Sequence, residues 1–227
     1  MTHTADTSAE PGAELGAEPA AELGRSARRR QAILEAATEV FVRQGYLGAT
    51  TDQVAAAASV SKQTVYKQFG DKQHLFAEVI GMTTTGVADR LAHVVAGTLG
   101  DDVRDVRAAL RDLAGGFLHG LLQPDVLRLR RLVVAEADRF PEVGRAWFEQ
   151  GFDRALVILG EALQGLEERG LLHDLGDPTL AAYQFAGLVM YLPMNQSMFA
   201  GTGVLPPDDK LDRIADSAVE VFLARYG

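Results

Sequence analysis

The chain has 227 residues, 47% apolar and 23% charged, with a net charge of −9; it can bury a substantial core and is ordinary for a globular protein. Lacking cysteine, it has no disulfide, thiolate metal site or cysteine nucleophile. The longest apolar runs, around Ala186 to Met194, fall short of a membrane span, and the N-terminus lacks the basic-then-apolar order of a signal peptide, so a cytoplasmic protein is expected.

The charge is unevenly divided. Residues 1–24 carry −5, residues 25–80 carry +3 and residues 81–227 carry −7. A basic segment in an acidic chain points to one end that faces a polyanion and a remainder with another task.

In chain order, residues 9–24 are two copies of an eight-residue unit, Ala-Glu-Pro-Gly-Ala-Glu-Leu-Gly and Ala-Glu-Pro-Ala-Ala-Glu-Leu-Gly. Low apolar content and helix breakers predict a disordered acidic arm over 1–24. The run Arg25-Ser26-Ala27-Arg28-Arg29-Arg30 is either a solvated first helical turn or a basic arm on phosphate. From Ser26 to Gln44, Ile33, Leu34, Ala37, Val40 and Phe41 recur at helical spacing, and Gly45 can close that helix in the left-handed region.

Next come two short helical patterns back to back. Thr50 or Thr51 can cap the first, with Asp52 in its opening turn. Ser61 can cap the second, whose apolar residues Val65 and Phe69 share one face. Only Ser59-Val60 separates them, which is the layout of a helix-turn-helix. With Val65 and Phe69 inward, the outer face holds Lys62, Gln63, Thr64, Tyr66, Lys67 and Gln68, without an acid. Gln can bond adenine edges, Lys can reach guanine or phosphate, and Thr can meet a thymine methyl. A solvated face usually mixes both charge signs, so this one reads as a nucleic-acid surface.

Ile33-Leu34, Ala37, Phe41, Gly45-Tyr46, Thr50-Thr51, Val54-Ala55, Ala58, Val60-Ser61, Thr64-Val65-Tyr66, Phe69, Lys72 and Leu75-Phe76 together resemble the DNA-binding domain of TetR-family transcriptional regulators, over residues 28–80. One departure stands in the turn, where Ser59 replaces the family's usual Gly; if positive φ is needed there, serine costs about 1 kcal/mol. The resemblance implies Lys72 as a phosphate contact, which accounts for a cation in a helix's first turn, where the dipole disfavours it. It favours the same role for the Tyr66 hydroxyl over burial in the core. The expected DNA contacts are Arg28, Thr50, Thr51, Ser61, Lys62, Gln63, Thr64, Tyr66, Lys67 and Lys72.

Asp71 can cap a long helix through Phe76, Val79, Ile80 and Met82 to about Leu99, weakened by Gly81, Gly86 and Gly97. Further helices are expected from Asp101 or Asp102 to Pro124, from Pro124 to Asp138, from Phe140-Pro141 to Gly170, from Asp177-Pro178 past Tyr191, and from Asp208 through Phe222. Pro193 marks a kink or an end in the fifth of these six. The fold is thus all-α with about nine helices: an arm (1–24), a helix-turn-helix domain (25–70) and a helical ligand-binding and dimerisation bundle (71–227). The run Leu129-Arg130-Arg131-Leu132-Val133-Val134-Ala135-Glu136-Ala137-Asp138-Arg139-Phe140-Pro141-Glu142 resembles the regulatory domain of an AefR-like TetR subgroup.

Phe117, Leu121, Trp147, Phe148, Phe152, Phe185, Met190, Tyr191, Met194 and Met198 are candidates for a pocket lining, with Asn195 as a polar group to orient a ligand, against the simpler reading of core or interface. The last two helices are the expected homodimer interface, since a helix-turn-helix dimer reads half-sites roughly 34–36 Å apart. The five histidines show no ligand-like spacing, and neither HExxH nor a Gly-x-Ser-x-Gly elbow is present; no metal, cofactor or catalytic residue is expected. The resulting reading is a ligand-responsive regulator of repressor type, released from a palindromic operator on double-stranded DNA by a small apolar effector, and nucleoid-associated when bound. The alternative is a helical enzyme or sensor domain with a vestigial helix-turn-helix. An architectural DNA binder would need basic charge along the whole chain.

Overall fold

The computed structural model describes residues 17–201 and 204–227. Among them the chain forms ten α-helical segments and no strand: α1 (Ala17–Gly48), α2 (Thr51–Ala57), α3 (Lys62–Phe69), α4 (Lys72–Thr98), α5 (Val106–Leu121), α6 (Pro124–Glu136), α7 (Pro141–Trp147), α8 (Arg154–Glu168), α9 (Pro178–Phe199) and α10 (Asp208–Tyr226). A π turn over Phe148–Asp153 joins α7 to α8 without a break; counted as one rod, these leave nine helices, as expected.

Among the described residues α1 is helical from Ala17, ahead of the expected start at Ser26. The described helix includes Pro19, so the second repeat copy does not prevent a helix. The first sixteen residues of the expected arm lie outside the described residues. α1 leaves helical geometry at Gly45 (φ 70°, ψ 173°), a region essentially reserved for glycine.

Thr50 caps α2 through a reciprocal box. Its hydroxyl accepts from the Gln53 N–H and the Gln53 side chain accepts from the Thr50 N–H. At the other end, Val60 N–H bonds Ala55 C=O at 2.9 Å and Ser59 N–H bonds Ala56 C=O at 3.2 Å. These are the two bonds of a Schellman cap, whose left-handed position belongs to Ser59 at φ 54°. Ser61 caps α3 and Asp71 caps α4, each by accepting from a backbone N–H three residues on. α5 starts later than expected, at Val106, because Asp105 rather than Asp101 or Asp102 accepts the Ala108 N–H. α10 has Pro207 at its N-cap and Asp208 in its first turn. α9 passes through Pro193 without ending.

Two apolar cores organise the chain. One gathers Ile33, Phe41, Val54, Val65, Phe69, Phe76 and Ile80 with Leu129, Val133, Phe140 and Val143. The helix-turn-helix therefore rests on α6 and α7 as well as on its own helices. The other core fills the bundle of α4, α5, α8, α9 and α10 around Phe117, Leu159, Phe185 and Phe222. α4 belongs to both: Leu75, Phe76, Val79 and Ile80 enter the first, and Val87, Leu91 and Val95 the second.

Candidate nucleic-acid interface and regulatory cavity

α3 buries Val65 and Phe69 and exposes Gln63 and Lys67. The remaining candidates are less uniform than the sequence suggests. Lys62 Nζ lies 2.9 Å from the Asp52 carboxylate of α2, and that hydrogen bond raises the lysine's pKa above its ordinary value. The face that is acid-free along the sequence is thus not acid-free in space. Ser61 and Thr64 hydroxyls lie 2.8 Å apart, and Thr50 is engaged in its capping box. Thr51 is buried, its hydroxyl donating to Tyr66 Oη at 3.3 Å, while Tyr66 remains 45% exposed. The pair presents one phenol oxygen at the surface, held from behind.

Lys72 is held from two sides. Its ammonium donates to Ala49 C=O at 2.7 Å and sits 4.4 Å from the centroid of the Tyr46 ring. Burial lowers its pKa, and the Arg139 guanidinium lowers it further. Tyr46 in turn packs on Phe140 with ring centroids 4.6 Å apart, so Lys72 connects the start of α2 to the segment between α6 and α7. Of the basic run, Arg28 and Arg29 are exposed. Arg30 is not available in the same way, because it pairs with Glu78 at 2.8 Å and stacks over Phe69.

Below this head, an apolar cavity lies where α4, α5, α6, α9 and the π turn meet. Thr84, Val87 and Leu91 of α4, Leu121 of α5, Val126 and Arg130 of α6, Trp147, Gly151, Phe152 and Met194 line it. Its volume is about 20 Å³, room for a single water. The π turn is pressed close to α4: a Cβ on Gly151 would stand 2.6 Å from Thr84 Cγ2. Of the expected pocket residues, Leu121, Trp147, Phe152 and Met194 border the cavity. Phe117 and Phe185 are fully buried in the bundle core. Phe148 is half exposed, Tyr191 is 75% exposed and Asn195 is exposed. α9 is apolar on every side, so its sequence period does not say which residues face inward. Val87, Leu91, Val126 and Arg130 were not anticipated as lining; only the depth of their helices in the bundle marks them. A larger groove of about 410 Å³ between α1 and α6 is open and rimmed by Glu39, Arg43, Asp125 and Arg128.

Residues 33–79 match the family model described as bacterial regulatory proteins, tetR family. Residues 108–227 match that of the AefR-like transcriptional repressor, C-terminal domain. The chain belongs to the TetR family of transcriptional regulators. A solved structure assigned to that family, from Mesorhizobium loti MAFF303099, is 41% identical with a TM-score of 0.85, over 89% of this chain and 98% of the other. The DNA-binding transcriptional repressor TetR of Mycobacteroides abscessus is 30% identical over 69% of this chain and 82% of its own length. The HTH-type regulator YhgD of Bacillus subtilis is 46% identical, over only 24% of this chain and 28% of its own. Membership makes the chain a DNA-binding transcriptional regulator, in a family that is not one of enzymes. Among the described residues no three or more acidic or histidine side chains form a group able to hold a metal, and no helix is long and apolar enough to cross a membrane.

Proposed function

We propose that this chain is a ligand-responsive repressor that binds a two-fold symmetric operator as a homodimer. The observation that carries this reading is the double membership of α4. Its first half belongs to the core beneath the helix-turn-helix, and its second half lines the cavity at Thr84, Val87 and Leu91. A ligand that enlarges a cavity of about 20 Å³ must push its walls apart, and α4 is the wall that carries the reading head. Such a cavity is closed in this state and is made larger by the molecule that selects the open one.

In this reading Gln63 contacts base edges and Lys67 base or phosphate, with Tyr66 Oη, Arg28 and Lys72 on the backbone. The dimer reading is supported by the outer face of α9, where Leu188, Tyr191, Leu192 and Phe199 are all exposed; exposed apolar side chains grouped on one helix mark an interaction surface. The repressor sense follows the relative from Mycobacteroides abscessus, which is named a repressor. Selection of bound duplexes from a random pool tests the reading. The expected outcome is a sequence with two inverted half-sites about one helical turn apart; recovery of a single asymmetric site, or of no sequence at all, contradicts it.

A further inference from the structure

Three arginines lie close together on α6, and two of them are committed. Arg128 pairs with Asp125 at 2.9 Å. Arg131 donates to the carbonyls of Ser197, Met198 and Gly201 that end α9. Arg130, one turn on from Val126, lines the apolar cavity instead, and among the described residues it makes neither ion pair nor hydrogen bond. The other polar side chain there, Thr84, already donates its hydroxyl to Ile80 C=O at 2.6 Å.

A guanidinium does not give up its proton in a protein, so Arg130, which is half-buried, remains a cation at the edge of an apolar space. A ligand that fills this space draws the charge further from water, where it is costly unless an anion meets it. From these placements we infer that the effector is an amphiphilic monoanion, a carboxylate on an apolar body, whose carboxylate is received by Arg130. This inference rests on the reading of the cavity as the effector site. One guanidinium with no second base on the lining matches a single negative charge; a phosphate dianion would keep an unmatched charge in the same apolar space. Burial, with no offsetting acid, lowers the Arg130 pKa, in keeping with a cation that lacks its partner. The planar fork suits a carboxylate in two-point contact, while Trp147, Phe152 and Met194 provide an adaptable wall for the apolar body.

Trp147 is the only tryptophan of the chain and lines the same cavity, so its fluorescence reports occupancy without DNA. The probes are decanoate and 4-phenylbutyrate, each titrated beside its neutral primary amide at pH 7. The acids are expected to bind about 10- to 100-fold more tightly than their amides, the difference of a charge-assisted contact. Arg130→Gln should abolish that preference, and Arg130→Lys should restore part of it, with helicity checked by circular dichroism. Amides that bind as well as the acids overturn the anion assignment and leave the cavity reading standing. If neither acids nor amides perturb Trp147, the cavity reading fails and the anion assignment with it. An acid preference that survives in Arg130→Gln overturns the role of this residue.

Discussion

Ser59→Gly should stabilise the protein, although it deletes a side chain from the turn at the centre of its DNA-binding domain. Ser59 holds φ 54° in the left-handed position of the α2 cap, where a Cβ meets the following carbonyl at a cost of roughly 1–2 kcal/mol. Its side chain is exposed, so no packing is lost with it. Both bonds of the cap, Ser59 N–H to Ala56 C=O and Val60 N–H to Ala55 C=O, belong to the backbone and survive. Against the relief stands the greater freedom of glycine in the unfolded chain, about 0.4–1 kcal/mol. The net gain should be about 0.5–1 kcal/mol, or roughly 1–4 °C in Tm for a chain of this size. Urea unfolding followed by circular dichroism measures it, with Ser59→Val as the control, because a β-branched residue at positive φ should lose stability. A Ser59→Gly protein less stable than the parent, or a Ser59→Val protein of equal stability, would refute the reasoning.

Gln63→Ala should relax base preference at one position of each half-site, with about 1–3 kcal/mol less discrimination there. Lys67→Ala should alter binding to all duplexes evenly and reduce the salt slope by about 1 per reading head if its contact is to phosphate; an altered base preference would move it to the reading group. Lys72→Met removes the bond to Ala49 C=O and the cation over Tyr46. It should weaken binding to every duplex and lower stability by about 1 kcal/mol, whereas a change confined to base preference would contradict the assignment. Tyr183 donates to the Asp153 carboxylate at 2.6 Å, and burial together with that bond raises its pKa to about 12. The folded state therefore keeps this proton where the unfolded state has lost it, so the contribution is complete below pH 10 and disappears as pH rises from 10 to 12. The stability difference between parent and Tyr183→Phe should shrink across that window, and a constant difference would count against it. Tyr191→Asp, on the exposed face of α9, should shift sedimentation from dimer toward monomer while leaving the monomer helical; an unchanged dimer would move the interface elsewhere.

The helix-turn-helix was legible because its signals are local. Caps at Ser61 and Asp71, the Gly45 turn and the inward pair Val65 and Phe69 each act within a few residues, and the structure keeps all of them. Ser59 was legible as a departure, and its positive φ bears out the strain expected of it. The partners of the basic residues were not legible, since they come from other elements. Asp52 reaches Lys62 from the preceding helix, Glu78 takes Arg30 from α4, and Ala49 C=O takes the Lys72 ammonium across the domain. The pocket was harder for a different reason. α9 is apolar on all sides, so Met194 inside and Tyr191 outside carry the same sequence signal. The π turn has no composition mark of its own, and yet it places Gly151 and Phe152 at the cavity. Arg130 lies within the AefR-like run, where sequence alone does not separate it from Arg128 or Arg131; their partners do.

Sequence-specific reading by α3 is most directly tested by titrating the protein against a duplex recovered by selection and against a scrambled duplex of the same composition, over a series of salt concentrations. Tight binding to the selected duplex alone is predicted, its log affinity falling linearly with log salt as phosphate-bound counterions are released. Equal and weak binding to both duplexes at every salt concentration would contradict the account and leave the helix-turn-helix without a reading role.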